Sequence, residues 1–321
     1  MKKTVFSLLG VSLALAAGQA FANDYPTRPI TLVNPYAAGG PADNVARVLA
    51  KELGTVLKQQ VVVENKAGAG ATIGAAHVAK ANADGYTLLF GTAASHVVSP
   101  LMQPAPYDGI KDFEFVALAA NQPNLLVVHP SLNVKTVDEF IALAKKPDQK
   151  MSYGSSGSGT SPHIGGELIK QAKGVDITHI PYKGAAPAIT DLVAGRTQMG
   201  VMNLSGELPF VKAGKLVALA YASKNRSPLL PDVPTFEEAG LGGSESASWY
   251  TVATPKGTPK AVVDKLNDAI NQVMRNPEYR STMEAQGTEL ETLTPAETLA
   301  FVQEDARKLN ALMKHVPLKM D

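Results

Sequence analysis

The chain contains no cysteine, so it has no disulfide bond, no thiolate nucleophile and no thiolate metal ligand. It also lacks an excess of charge of either sign, because 30 basic residues face 29 acidic ones. Nucleic-acid and membrane-surface binding both need a basic face, and this balance argues against either partner. The fold must therefore be stabilised by burial of apolar side chains alone, which a chain of 321 residues can support.

Patterns of catalytic and metal-binding residues are missing as well. None of the six histidines stands at the His-x-x-x-His or carboxylate spacing of a metal site. The sequence contains neither the nucleophile elbow Gly-x-Ser-x-Gly nor the pair Ser-x-x-Lys. The segment from Gly68 to Gly74 approaches the dinucleotide fingerprint, but exported proteins rarely meet that cofactor. We therefore expect no metal and no cofactor.

Residues 1–22 have the composition of a cleaved signal peptide. Lys2 and Lys3 form a basic start, Val5 to Ala17 supply an apolar run, and Ala20-Phe21-Ala22 offers the small-x-small cleavage pattern. The apolar run is short for a membrane span, and the absence of cysteine excludes a lipoprotein anchor. The sequence thus predicts export to the periplasm.

Short apolar runs alternate with helical patterns through the rest of the chain. This order predicts an α/β fold with parallel sheets covered by helices. The runs near Pro123 and near Ser223–Pro228 are interpreted as crossings between two lobes. The predicted division is 23–122 plus 225–321 for the first lobe and 123–224 for the second.

The most informative segment is the loop from Asn34 to Asp43. A short strand, Ile30–Val33, precedes it and a helical pattern follows from Asn44. A glycine-rich loop between a strand and a helix presents free backbone N–H groups, and the helix dipole favours an anion at the same place. Asp43 is expected to cap that helix.

A second loop of the same kind runs from Tyr153 to His163 and is rich in hydroxyl groups. Neutral N–H and O–H donors suit a carboxylate that must be released again. The two loops together predict a protein that grips a small anion from two sides. Three alternatives stay open: a secreted serine hydrolase that uses loop 154–161 with a partner such as His163, a scaffold or sensory protein with an occluded pocket, and anion attraction by Lys183.

Several motifs carry a resemblance to a known family. They are the segments Tyr25-Pro26-Thr27-Arg28-Pro29, Val61 to Gly70, Ala83 to Leu89, His179 to Gly184 and Pro231 to Thr235. Their order along the chain resembles that of the Bug-type extracytoplasmic solute receptors, the substrate-binding proteins of tripartite tricarboxylate transporters. The resemblance spans nearly the whole chain after the signal peptide.

The resemblance implies a two-lobed periplasmic binding protein fold of type II-like topology, with a mostly parallel sheet in each lobe. It implies a non-enzymatic, monomeric receptor that closes on a small carboxylate and delivers it to transporter subunits or a sensor. This chain differs from the family at three positions. Tyr36 stands where the family usually has Phe, Pro41 stands where it usually has Ser or Thr, and Asn203 lies near a position where it commonly has Asp. The ligand-binding positions carried over to this chain are Tyr36, Ala38, Gly39, Gly40, Asp43, Ala93, Ser155, Ser156, Gly157, Thr160 and Asn203.

Overall fold

The computed structural model describes residues 25–314, so the predicted signal peptide at 1–22 lies outside the described residues. Within that range the strands are β1 (Ile30–Asn34), β2 (Val61–Asn65), β3 (Thr87–Thr92), β4 (Phe113–Val128), β5 (Met151–Ser155), β6 (Ile177–Pro181), β7 (Met199–Asn203), β8 (Val217–Tyr221) and β9 (Ala247–Pro255).

The helices lie mainly between the strands, as the alternating pattern predicts. They are α1 (Pro41–Leu57), α2 (Thr72–Ala79), α3 (Ser99–Met102), α4 (Val137–Ala144), α5 (Ser161–Lys173), α6 (Ala185–Val193), α7 (Leu204–Lys212), α8 (Lys260–Arg275), α9 (Pro277–Glu284) and α10 (Pro295–Met313). Single turns of 3₁₀ helix occur at Ala69–Ala71 and Pro130–Leu132. None of the described helices combines the length and the apolar character needed to cross a membrane.

The strands form one mixed sheet in the order β2-β1-β3-β9-β4-β7-β5-β6, with β8 paired to β4. The strands β2, β1 and β3 run parallel at one end, and β7, β5 and β6 run parallel at the other. All the pairings of β4 and β9 are antiparallel. The predicted two-lobed α/β fold is confirmed, and its antiparallel pairings come from the two strands that join the halves.

The strand β4 is longer than the sequence indicates. The apolar runs Phe115–Ala119 and Leu125–Val128 predict two short strands, but one strand of 16 residues covers both. Up to Pro123 it pairs with β9, and from Asn124 onward it pairs with β7. A proline lacks the N–H that a ladder needs, and Pro123 stands at the point where β4 changes partners.

Separate apolar clusters fill the two ends of the sheet. One includes Leu32, Phe90 and Leu266, and another includes Leu126 and Phe140. The segment after β8 contributes Phe236 and Leu241 to the second cluster. Since this segment packs with residues of the second predicted lobe, we propose that the chain returns to the first lobe at β9 rather than near residue 225.

The segment Thr136-Val137-Asp138-Glu139 has the sequence of a capping box and predicts a helix through Ala144, and α4 covers Val137–Ala144. The Thr136 hydroxyl accepts a hydrogen bond of 3.2 Å from the Glu139 amide, and the Glu139 carboxylate accepts one of 2.7 Å from the Lys135 amide. The sequence pattern does not predict the short π-helix at Ala94–Val98. Its start is fixed by Ser95, whose hydroxyl bonds both the amide and the carbonyl of Thr92.

Candidate functional site

The two glycine-rich loops lie on opposite sides of a narrow cleft at the carboxyl ends of the parallel strands. The Ala37 amide of the first loop donates a hydrogen bond of 2.9 Å to the Lys183 carbonyl, which follows β6. The cleft has a cavity volume of only about 30 Å³. A cavity of this size has room for a group of a few atoms. It is lined by Tyr36, Ala37, Gly40, Pro41, Ala42, Thr92, Ala93, Ala94, Ser156, Thr160, Ser161, Pro162, Ala185, Asn203, Ser248, Trp249 and Tyr250.

Four helices begin at this cleft, and each directly follows a parallel strand. They are α1, α5, α6 and α7, and their N-cap residues are Gly40, Thr160, Gly184 and Asn203. The first turn of a helix carries unpaired N–H groups and a partial positive charge. Four such ends around one cleft favour the binding of an anion.

The N–H groups in the first turn of each of these four helices have no side-chain acceptor at the N-cap. In the described part of the chain, no N–H group in the first turn of these four helices donates a hydrogen bond to the side chain of its N-cap residue. Of the other described helices, α4, α9 and α10 have side-chain caps at Thr136, Asn276 and Thr294, whereas α2, α3 and α8 have none. None of these three cap residues lines the cleft. The N–H groups in the first turns of α1, α5, α6 and α7 can therefore donate hydrogen bonds to a ligand.

The cleft carries no formal charge. Among the described residues that line it, none is Asp, Glu, Lys or Arg. The available groups are hydroxyls, amides and aromatic faces, which donate or accept hydrogen bonds without strong ionic attraction. This arrangement can hold a carboxylate reversibly.

The first loop is fixed from behind by Asp43, which does not line the cleft. Its carboxylate accepts hydrogen bonds from the Gly39 amide at 3.0 Å, the Arg47 guanidinium at 2.8 Å and the Asn65 side-chain amide at 2.8 Å. Burial raises the pKa of Asp43, but these bonds outweigh it and hold the pKa below its ordinary value. The expectation that Asp43 caps the helix is wrong, because α1 already begins at Pro41 and Asp43 lies within its first turn.

Within the first loop, Tyr36 and Gly40 line the cleft, whereas Ala38 and Gly39 are exposed to solvent outside it. The Tyr36 hydroxyl shares a hydrogen bond of 2.8 Å with the Thr92 hydroxyl. Burial raises the pKa of Tyr36 to about 12, although the Thr92 bond acts in the opposite direction. The phenol is therefore neutral at ordinary pH and serves as a hydrogen-bonding group.

In the second loop, Ser156 and Thr160 line the cleft, whereas Ser155 and Gly157 do not. The Ser155 hydroxyl bonds the His179 ring nitrogen Nε2 at 2.7 Å and accepts from the Gly157 amide at 3.1 Å. Ser155 is fully buried. A serine sealed in this way supports the loop and cannot reach a substrate in the cleft.

The imidazole of His179 makes the stability of the second loop dependent on pH. Burial lowers the pKa of His179 to about 4. The unfolded chain binds this proton near pH 6.5, so between these values the unfolded state holds more protons and the free energy of unfolding falls as the pH falls. The contribution is fully present above pH 6.5, and we expect a loss on the order of 1 kcal/mol by pH 4 after allowance for partial exposure.

Urea unfolding at pH 7 and pH 5 tests this expectation. His179→Gln should make the pH dependence shallower without removing it, because burial also lowers the pKa of His96 to about 4, whereas His77→Gln at an exposed histidine should leave the wild-type dependence in place. The same dependence in all three proteins would show that His179 is not its source.

The floor of the cleft is a buried polar network. The Asn203 amide donates to the Gln122 carbonyl at 3.0 Å and to Asn124 Oδ1 at 2.9 Å, and Asn203 Oδ1 accepts from the Tyr250 hydroxyl at 3.2 Å. Asn203 thereby ties the end of β7 to the joining strands β4 and β9. Ala93, another predicted position, lies at the edge of the same cleft.

Sequence reasoning missed the contribution of β9 to the site. Ser248, Trp249 and Tyr250 line the cleft, although the first loop is more than 200 residues away along the chain. The apolar run Ala247–Ala253 predicts the strand itself. No local signal indicates that it passes beneath the loops, because that position follows from its pairing with β3 and β4.

Comparisons with known proteins agree with this geometry. The family model described as tripartite tricarboxylate transporter family receptor matches residues 45–318. The chain is 33% identical over 320 residues to the protein BugT of Bordetella pertussis, with 98% of each chain covered. It is 37% identical over 284 residues to a protein from the tcbD-tcbE intergenic region of Pseudomonas sp. strain P51, covering 87% of this chain and 84% of the relative.

Solved structures resemble the whole described fold. The R. palustris protein Rpa4515, solved with adipate, superposes with a TM-score of 0.89 at 35% identity, covering 93% of this chain and 100% of the other. The periplasmic binding protein BugD gives 0.86 at 35% identity, with 92% and 100% covered. MatC from Rhodopseudomonas palustris, with bound malate, gives 0.85 at 32% identity, with 90% and 99% covered.

These relatives are periplasmic solute receptors and not enzymes, which overturns the serine hydrolase alternative. The buried position of Ser155 is consistent with that result. The chain belongs to the tripartite tricarboxylate transporter receptor family.

Proposed function

We propose that this protein captures a small organic carboxylate in the periplasm and delivers it to a tripartite tricarboxylate-type transporter. The observation that carries the proposal is the convergence of four uncapped helix N-termini on an uncharged cleft. Such a site stabilises a negative charge through neutral donors. Similar proteins solved with adipate and with malate support a carboxylate as the ligand.

The mechanism is closure of two lobes on the ligand. Donors from α1 belong to one end of the sheet, and donors from α5, α6 and α7 belong to the other. A carboxylate that contacts both sets binds the closed form more tightly than the open form, and so it shifts the population toward closure. Because the closed cleft is so narrow, the ligand must enter while the lobes are apart.

A thermal-shift screen over carboxylates tests the proposal. We expect at least one acid to raise the melting temperature, since a ligand at a hundred times its Kd stabilises the folded state by about 2.7 kcal/mol. The matched control for each acid is its primary amide, which has nearly the same shape without the negative charge. Stabilisation by the amide equal to that by the acid, or no stabilisation by any acid, would contradict carboxylate recognition.

A further inference from the structure

The only tryptophan of the chain, Trp249, lies on β9 at the cleft and is 4% exposed. Its side chain and that of Tyr250 belong to different apolar clusters. Tyr250 belongs to the cluster of Phe90, whereas Trp249 belongs to the cluster of Ala93 and Val97. Successive side chains of a strand point to opposite faces of the sheet. The indole therefore lies on the face of β9 opposite to the phenol of Tyr250.

The cluster that contains Trp249 joins the two lobes. It includes Ile164 and Leu168 of α5, the helix that follows the second glycine-rich loop. The residue beside the tryptophan also contacts α5, because the Ser248 hydroxyl shares a hydrogen bond of 2.6 Å with the Ser161 hydroxyl. Trp249 thus belongs to the surface on which α5, and with it the second loop, packs against β9.

The indole of Trp249 is held by the helix α10. Its Nε1–H donates a hydrogen bond of 2.8 Å to Asp305 Oδ2. The Phe301 ring packs edge to face on the indole, with centroids 5.7 Å apart and the planes at 81°. Phe301 and Asp305 are four residues apart and so lie on one face of the helix. The His96 ring lies nearly parallel to the indole, with centroids 6.2 Å apart. Together these contacts fix the orientation of the indole.

The carboxylate of Asp305 has no other strong partner. Its exposed neighbour Glu304 pairs with Arg307 and Lys308. Within residues 25–314, Asp305 is half-buried and forms no ion pair. Burial raises the pKa of Asp305, and the bond from the indole, together with the charge of Lys308, acts in the opposite direction. Burial of a carboxylate is costly unless a hydrogen-bond donor compensates for it, and Trp249 supplies that donor.

From this arrangement we propose that Asp305 is a positioning residue for ligand binding. By holding the indole of Trp249, it fixes the surface on which α5 packs, and it thereby supports the closed position of the second glycine-rich loop. The inference rests on the proposed function, because the closure concerned is closure on a carboxylate. It gives α10 a share in the affinity for the ligand, although no described residue of α10 lines the cleft.

A comparison of Asp305→Leu with Asp305→Asn tests the inference. Leucine has nearly the shape of aspartate without an acceptor, whereas asparagine keeps a side-chain oxygen for the indole N–H. Calorimetry uses adipate, malate and any further acid that the thermal-shift screen identifies. We expect Asp305→Leu to bind about tenfold more weakly, the size of one charge-assisted contact, and Asp305→Asn to retain most of the affinity. Asp305→Ser, whose side chain is too short to reach the indole, replaces the leucine variant if that variant does not fold.

The fluorescence of the single tryptophan reports the position of the indole directly. In Asp305→Leu the emission maximum should lie at longer wavelength and acrylamide should quench more strongly than in the wild type, because the released indole meets more water. Asp305→Asn should resemble the wild type. The matched control is Val302→Ala, which truncates a fully buried residue of the same helix. It should lower stability without changing the affinity or the emission.

A double-mutant cycle with Trp249→Phe separates positioning from a general loss of stability. Because Asp305 acts through the indole, Asp305→Leu should cause little further loss of affinity in the Trp249→Phe background. Three results would each overturn the inference and leave the proposed function standing: additive losses in the cycle, wild-type affinity and emission in Asp305→Leu, or an equal loss of affinity in Val302→Ala. If the wild-type protein binds no acid of the screen, both proposals fall.

Discussion

Replacing Gly40 with leucine is expected to lower the affinity for a carboxylate ligand about a hundredfold, a change of about 2.7 kcal/mol. The reason is steric. A Cβ at this position would lie 3.4 Å from the Ala186 amide and 3.7 Å from the Ala185 side chain of α6, across the cleft. The rest of a leucine side chain would fill the cleft or hold it open. The backbone at Gly40, with φ −90° and ψ 173°, is accessible to any residue, so the free energy of unfolding should change little.

The neighbouring Gly39 provides the matched control. Its φ is +83°, a conformation that favours glycine, and a Cβ there would meet only the Ala186 side chain at 3.9 Å. Gly39→Ala should therefore lower stability by about 1–2 kcal/mol and weaken binding far less than Gly40→Leu. Calorimetry and urea unfolding on both variants check the pair, and unchanged affinity in Gly40→Leu would mean that the first loop is only a turn.

Replacing Asp43 with alanine is expected to lower the free energy of unfolding by about 2–4 kcal/mol and to weaken ligand binding as well. The substitution removes a buried acceptor of three hydrogen bonds and leaves the half-buried Asn65 amide and the Gly39 N–H without that partner. Asn65 also bonds the Tyr36 carbonyl at 3.0 Å, so its release loosens the loop that forms one wall of the cleft. Urea unfolding and calorimetry measure the two losses.

Arg47→Met separates the loop anchor from the ion pair. It removes the salt bridge of 2.8 Å, whose arginine is 52% exposed, but keeps the bonds to Gly39 and Asn65. A loss of no more than about 1 kcal/mol is expected, as for other exposed pairs. A loss as large as that of Asp43→Ala would assign the effect to the ion pair.

The pH dependence gives a second signature of Asp43. The hydrogen bonds keep its folded pKa below the ordinary value of 3.8, so the carboxylate stabilises the fold above that pH. This contribution is lost as the pH falls through the folded value. The free energy of unfolding of Asp43→Ala should therefore be lower than that of the wild type at neutral pH. Below pH 4 it should fall less steeply with decreasing pH than the wild-type value does.

Much of the fold follows from local pattern. The strand β1 and the helices α1 and α4 are visible in the spacing of their apolar residues and in turn or cap residues close by. The length of β4 was not predictable, because Pro123 is usually a strand breaker and is tolerated here only where β4 exchanges β9 for β7. The exchange involves residues more than 70 positions apart.

The same division applies to the candidate site. Each glycine-rich loop can be recognised from its own strand, glycines and following helix, and this suffices to predict two anion cradles. Which atoms face the ligand depends on how the loops pack. Gly39 and Gly40 are adjacent residues of the same type, yet only Gly40 lines the cleft. Likewise, Ser156 lines the cleft and its neighbour Ser155 does not.

The sequence by itself determined the α/β alternation, the two anion-binding loops, and the absence of thiol chemistry and of a net basic charge. These properties depend on residue type and on spacing within about ten residues. Only the tertiary structure decided that α6, α7 and β9 complete the cleft. The physical reason is that long-range strand pairing sets these positions, and pairing partners are chosen by the packing of the whole sheet rather than by neighbours in the chain.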